Sequence, residues 1–129
     1  MFDINHPEHD ELSYAIIGAA MRVRSKKRPY LLEASYHGFL CYELTRTGFN
    51  IQSQPLLPAR YDGVVVKAGY RPDIIVNDQI IVEVKAVEKL LLVHRSQVIT
   101  YLEESGLRTG LLLNFNAVPF KKGIRRISI

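Results

Sequence analysis

Cysteine is all but missing from this chain of 129 residues: Cys41 stands alone. An internal disulfide is therefore excluded, and a zinc site built on paired thiolates has no second ligand. Cys41 lies in a helical pattern and is expected to pack, in a chain that works in a reducing cytoplasm. Long apolar runs are missing too. No stretch reaches the length that spans a bilayer, and no apolar segment follows a basic start as in a secretory signal. There is no internal repeat and no low-complexity tract. The length suits one domain with a single core. Residues 1–9 carry no pattern and are expected to form a flexible N-terminal arm, with one domain over residues 10–129.

Acidic residues are missing from two particular places. Nine of the 17 basic residues fall into two blocks, Arg22, Arg24, Lys26, Lys27 and Arg28, then Lys121, Lys122, Arg125 and Arg126, and neither block holds an acid. The rest of the chain carries eight basic residues against 13 acidic ones. Clustered cations beside an acidic pocket suit a polyanion that must be carried to a metal. A solvated helix end and a basic tail are the other reading of the same charges.

The most informative stretch is Tyr70 to Lys85. Two β-branched runs, Ile74 to Val76 and Ile80 to Val84, are parted by Asn77, Asp78 and Gln79. That composition predicts a β-hairpin. Side chains alternate along a strand, so Glu83 and Lys85 share a face. With a three-residue loop, Val76 pairs with Ile80 and Asp73 falls opposite Glu83, so all three charges share that face. With a two-residue loop, Asp73 moves to the other side. Two carboxylates and an ammonium on an otherwise apolar hairpin are costly to bury unless they serve each other or a ligand. Paired carboxylates are hard oxygen donors of the kind that hold Mg²⁺ beside phosphates. A lysine beside them could orient an attacking water or steady charge on phosphate. The alternative is a surface ion pair between Lys85 and one carboxylate, which contributes little.

Around this hairpin the periodicity predicts three helices. The first runs from Asp10 to about Arg24, with Leu12, Ile16, Ile17, Ala20 and Val23 on one stripe. The second starts at Pro29 and runs to about Thr47, with Gly48 closing it and Leu32, Tyr36, Phe39, Leu40 and Leu44 as its stripe. The third runs from about Val93 to Glu104 and stops at Gly106, aligning His94, Gln97 and Tyr101 on one face. Residues 50–58 read as an edge strand. Tyr61-Asp62-Gly63 reads as a hairpin turn, followed by a continuous strand from Val64 to Asp73 with a bulge or bend at Gly69. Gly110 to Phe115 reads as a buried strand, parallel after the helical crossover, and Gly123 to Ile129 as a short last strand.

Pro72-Asp73 followed by Glu83-Val84-Lys85 resembles the motif of the PD-(D/E)XK nuclease superfamily. Gln97-Val98-Ile99-Thr100-Tyr101 is similar to the Gln-x-x-x-Tyr motif of its RecB-like members. Leu31 to Tyr36 is similar to the family named for its GxxExxY pattern, and Gly110 to Asn116 with Lys122 to Arg126 resembles that family's C-terminal end. Tyr30 stands where that signature opens with Gly, and the basic residues at 22–28 replace the acidic and small residues that the family favours. The turn before the second helix is therefore expected to differ.

The resemblance implies an α/β fold, a restriction-endonuclease-like core with a mixed β-sheet flanked by helices in the order αβββαβ. It implies a Mg²⁺-dependent nuclease, with Mn²⁺ as the other ion its ligands admit. Asp73, Glu83 and the carbonyl of Val84 would hold the metal, with Glu33 a further ligand directly or through water. Lys85 would position the water, and Gln97 and Tyr101 would orient the substrate. Glu33 could instead serve its own helical turn, and His94 is expected to support or pack rather than act as a base. The partner expected is nucleic acid, DNA ahead of RNA, with no membrane and with a homodimer as one way for so small a nuclease to cut both strands. The alternative is a binding or regulatory module that keeps the fold without cleaving.

Overall fold

The computed structural model describes residues 7–129, with side chains from residue 11 onward except those of residues 67 and 68. The expected arm therefore lies largely outside the described residues. Helix α1 spans Pro7–Lys26, longer at both ends than its apolar stripe predicts. It buries Leu12, Ile16, Ala19, Ala20 and Val23, which recur at helical spacing.

Helix α2 spans Glu33–Arg46, so it begins four residues after Pro29. Tyr30 takes a left-handed backbone conformation (φ 69°), which no helix continues through. Leu32, expected on the buried stripe, is the residue before the helix and is 75% exposed. The face that does pack is Tyr36, Leu40, Glu43 and Leu44. A buried Glu on that face was not expected.

Five strands form the main sheet in the order β1-β4-β5-β6-β7. They are β1 (Ile51–Ser53), β4 (Ile74–Val76), β5 (Ile80–Lys85), β6 (Thr109–Asn114) and β7 (Ile124–Ser128). The pair β5–β6 is parallel, joined through helix α3 (Leu92–Ser105), and the other pairs are antiparallel. Gly106 ends α3 in the left-handed conformation, as its position predicts. Gly110 lets α3 settle on the sheet, because a Cβ there would lie 2.6 Å from Val98 Cγ1.

The expected continuous strand from Val64 to Asp73 is two strands in two sheets. Residues Val64–Tyr70 form β3, which among the described residues pairs only with β2 (Leu57–Tyr61) in a separate two-stranded ribbon. Pro72 lacks the N–H a ladder needs, and the chain turns there before re-entering the main sheet as β4. Asp62 and Gly63 make the ribbon's turn, both at positive φ. The register slips between Leu57 and Ala59, opposite Gly69, where a Cβ would collide with the Leu57 carbonyl. The expected bulge is therefore present.

With α2, β1, β4, β5, α3 and β6 the chain runs through the αβββαβ order, the ribbon being an insertion after β1. Helices α1 and α2 cover one face of the sheet, burying Ile74, Val76, Val82, Val84, Leu111 and Leu113. Helix α3 covers the other, over Ile75, Ile81, Leu112 and Ile127. Among the described residues no helix is long and apolar enough to cross a membrane.

Candidate active site

The hairpin register decides the site. Val76 pairs with Ile80, Ile75 with Ile81 and Ile74 with Val82, which is the three-residue loop. Asn77 and Asp78 take positive φ in that loop, as Asn and Asp tolerate better than most residues. Asp73 therefore comes opposite Glu83, and the two are locked by crossed bonds. The Asp73 backbone N–H donates to Glu83 Oε1 at 2.7 Å, and the Val84 N–H donates to Asp73 Oδ2 at 2.8 Å. Beyond Val82 strand β4 has ended, so these two bonds extend the ladder with side chains in place of backbone. In an extended strand the N–H and C=O of one residue point to the same edge. The Val84 carbonyl therefore faces the edge that Asp73 occupies.

Glu83 is 2% exposed, on the α3 face of the sheet beside Ile81. Burial pushes its carboxyl up to about 8, and the negative charge of Asp73 pushes the same way. The Asp73 N–H and the Lys85 ammonium oppose the rise without cancelling it. Lys85 Nζ lies 3.8 Å from Glu83 Oε2, and both side chains are largely covered, so this is no surface ion pair. From α3, Gln97 Nε2 donates to the Tyr101 hydroxyl at 3.0 Å. Burial raises the Tyr101 pKa, and the nearby charge of Glu83 adds to it. The expected pair of helix residues therefore reaches the same patch. His94 does not act there: its Nδ1 accepts the Leu91 N–H at 2.9 Å and so caps the start of α3.

Glu33, the first residue of α2, lines a cleft of about 310 Å³ together with Ala34, His37, Ser53, Gln54 and Asp73. Leu32 at the N-cap makes no side-chain bond to the start of α2, and Glu33 is the acidic residue of its first turn. Its placement depends on Tyr36, which is fully buried and stacked on Phe115 with centroids 4.7 Å apart. The Tyr36 hydroxyl donates to the Arg28 carbonyl at 2.7 Å and accepts the Leu31 N–H at 3.0 Å. The Tyr30 N–H donates to Asn116 Oδ1 at 2.8 Å. The turn expected to differ is thus held on three sides, with Tyr30 in a backbone conformation that suits Gly.

His37 and Ser53, which line the cleft, escaped the sequence reading. His37 Nδ1 is 4.0 Å from Asp73 Oδ1, and its Nε2 is 2.8 Å from Ser53 Oγ. The one available signal was spacing, since His37 follows Glu33 by one helical turn. Cys41 is half-buried near Ser53; burial raises its pKa, and the charge of Asp73 adds to that.

The basic blocks divide. Arg22 and Lys26 bind Glu43 at 3.1 and 3.3 Å, where Arg46 joins them at 2.7 Å. Arg46 first, then Arg22, hold the Glu43 carboxyl down at about 2. Arg24 Nη1 donates to the carbonyls of Phe115 and Ala117 at 2.9 and 2.7 Å, its guanidinium over the Phe120 ring. Lys27 lies over Phe39, and Arg28 donates to the Pro29 carbonyl. In the second block Lys121 and Lys122 are exposed on a 3-10 turn, Phe120–Gly123. Arg125 is exposed on the α3 face of β7. Arg126 donates to Ser128 Oγ from the opposite face.

Among the described residues, no three His, Cys, Asp or Glu side chains group closely enough to hold a metal ion unaided. The donors present are two carboxylates beside a strand-edge carbonyl. They suit Mg²⁺, which is commonly held by one or two carboxylates with water and substrate phosphate completing the shell. An acid pair whose buried member is raised to about 8 is also short of positive charge, which a divalent cation supplies.

A family model described as the PD-(D/E)XK nuclease superfamily matches residues 10–127. No curated protein and no solved structure gives a significant match. The mixed five-stranded sheet between helices is consistent with a restriction-endonuclease-like fold. On the match across nearly its whole length, the chain belongs to the PD-(D/E)XK nuclease superfamily.

Proposed function

We propose that this protein is a metal-dependent nuclease of the GxxExxY type that hydrolyses phosphodiester bonds of DNA or RNA. The observation that carries the reading is the crossed pair of Asp73 and Glu83 with Lys85 at its rim. Asp73, Glu83 and the Val84 carbonyl would hold Mg²⁺ or Mn²⁺. Glu33 would act through water, since it does not close with them into a three-acid cluster. The ion supplies a Lewis acid and a more acidic bound water.

The chain's own groups do the rest. Lys85 Nζ holds the attacking water by hydrogen bonding and offsets charge on the phosphoryl oxygens. The Gln97 amide and the Tyr101 hydroxyl, already bonded to each other, offer a donor and an acceptor to the phosphate or its sugar. Tyr30 at positive φ, Glu33 at the start of α2 and Tyr36 bracing the turn give each position of the GxxExxY pattern a physical role, which supports that assignment.

Purified protein incubated with plasmid, linear duplex and single-stranded substrates tests the reading. Cleavage is expected with Mg²⁺ or Mn²⁺ and none with EDTA. Nucleic-acid binding with no cleavage under either ion would replace it with a non-cleaving module of the same fold.

A further inference from the structure

A second concavity lies on the same sheet face as Glu83. It encloses about 390 Å³, and three cations border it: Lys89 from the connection after β5, Arg95 from α3 and Arg125 from β7. Its apolar wall is built from Leu91, Leu92 and Leu112. Register ties it to the candidate active site. Glu83 pairs with Leu112, and Leu112 pairs with Arg125, so the three side chains form one row across β5, β6 and β7. Two strand spacings, about 10 Å, separate the ends of that row.

The connection that carries Lys89 is anchored rather than loose. Asn114 accepts the Val87 N–H at 3.0 Å and donates to the Val87 carbonyl at 2.9 Å. Lys89 and Arg95 have no acidic partner among the described residues, whereas Arg22 and Lys26 of the first basic block are spent on Glu43. The rim also exposes apolar surface without a structural use: Leu92 is 85% exposed, next to Leu91 and Val93. Exposed apolar side chains gathered beside unpaired cations mark a binding surface.

We propose that this pocket binds an unpaired nucleotide of the substrate strand next to the bond that is cut, and that the protein prefers single strands or frayed ends to blunt duplex. The inference rests on the nuclease reading for its link to cutting. Lys89 and Arg95 take backbone phosphates, Arg125 adds positive charge beside them while its Nη1 donates to the Lys122 and Ile124 carbonyls, and the leucine wall takes the face of a base. A duplex turns its bases inward and presents phosphates on a convex surface, so it has nothing to set against that wall. A splayed base does. The volume lies in the lower part of the ~300–1,000 Å³ range of sites for single small molecules.

Fluorescence anisotropy in EDTA tests it, with a labelled mixed-sequence single-stranded DNA, the matching RNA and the blunt DNA duplex. Lys89, Arg95 and Leu92 are exposed, so their variants keep the fold. Wild type is expected to bind the single strands at least fivefold more tightly than the duplex. Lys89→Ser with Arg95→Ser is expected to weaken single-strand binding more than tenfold and to lower the salt slope by about 1.4, two contacts at ~0.7 each. Leu92→Asp is expected to weaken single strands more than duplex. A double variant with unchanged affinity and salt slope overturns the proposal, as does a wild type that prefers blunt duplex or binds none of the three. Because no metal is present, wild-type protein that binds as described but never cuts would sink the nuclease reading and leave the pocket standing. The DNA and RNA arms identify which strand it takes.

Discussion

Replacing Glu83 with Gln should stabilise the metal-free protein at high pH, because burial disfavours the ionised carboxylate. Glu83 is 2% exposed, and its carboxyl titrates at about 8 instead of 4.5. The folded state therefore holds a proton on Glu83 that the unfolded chain gives up near 4.5. The stability from this group is fully present below 4.5 and is lost as pH rises through about 8. At about 1.4 kcal/mol per pH unit, the gap sets a ceiling of about 5 kcal/mol by pH 9. Water entering the cleft around the ionised group relieves part of that, and we expect about 2–4 kcal/mol. The glutamine side chain has the shape of the protonated acid and keeps an oxygen for the Asp73 N–H, now 2.7 Å from Glu83 Oε1. Urea unfolding of wild type and Glu83→Gln in EDTA at pH 5, 7 and 9 should give nearly equal stabilities at pH 5. The variant should then lead increasingly toward pH 9. Saturating Mg²⁺ should restore wild type at pH 9 and do little for the variant. A wild-type-to-variant difference that stays flat from pH 5 to 9 would refute the reasoning.

Two further outcomes are expected. Lys85→Ala removes a cation and no metal donor, so isothermal titration should show Mg²⁺ bound at least as well as in wild type. Cleavage should fall ~10²–10⁴-fold, and equal cleavage would remove Lys85 from the mechanism. Tyr30→Gly relieves a left-handed φ of 69° that costs a non-glycine residue about 1–2 kcal/mol, less about 0.5–1 for the freer unfolded chain. With its ring largely exposed, the net should be about 0.5–1 kcal/mol of stabilisation. A thermal melt should rise by about 2–5 °C, and a fall would show that the ring packs.

The hairpin was legible because its register has two discrete options, and Asn77 and Asp78 tolerate the left-handed backbone that the three-residue option demands. Gly106 was legible for the same local reason. The division between β3 and β4 was not. Val64 to Asp73 has strand propensity throughout, and what separates the two halves is which partners they meet: β2 for one, β1 and β5 for the other. The start of α2 was missed because Pro29 favours a helical first turn, while the reason it fails there is a tertiary bond from Tyr30 to Asn116. The basic blocks show the limit most clearly. Charge clustering along the sequence left a polyanion surface and a solvated helix end both open, and it could not show that Arg22 and Lys26 pair with Glu43 or that Arg24 bonds the carbonyls of Phe115 and Ala117. Lys89, Arg95 and Arg125 are scattered in sequence and meet only once β7 pairs with β6.

The bond from the Tyr30 N–H to Asn116 Oδ1 spans 86 residues, and the bond from Arg24 to the Ala117 carbonyl spans 93. The turn that aims Glu33 is thus braced by chain that is made some 86 residues later. During synthesis Asp73, Glu83 and Lys85 can pair as a hairpin while Asn116 and Phe115 are still inside the ribosome, because the hairpin is local. Glu33 cannot be set against them until β6 and the segment after it have emerged. A chain stopped before residue 115 therefore carries the acids without the brace that sets the turn before Glu33.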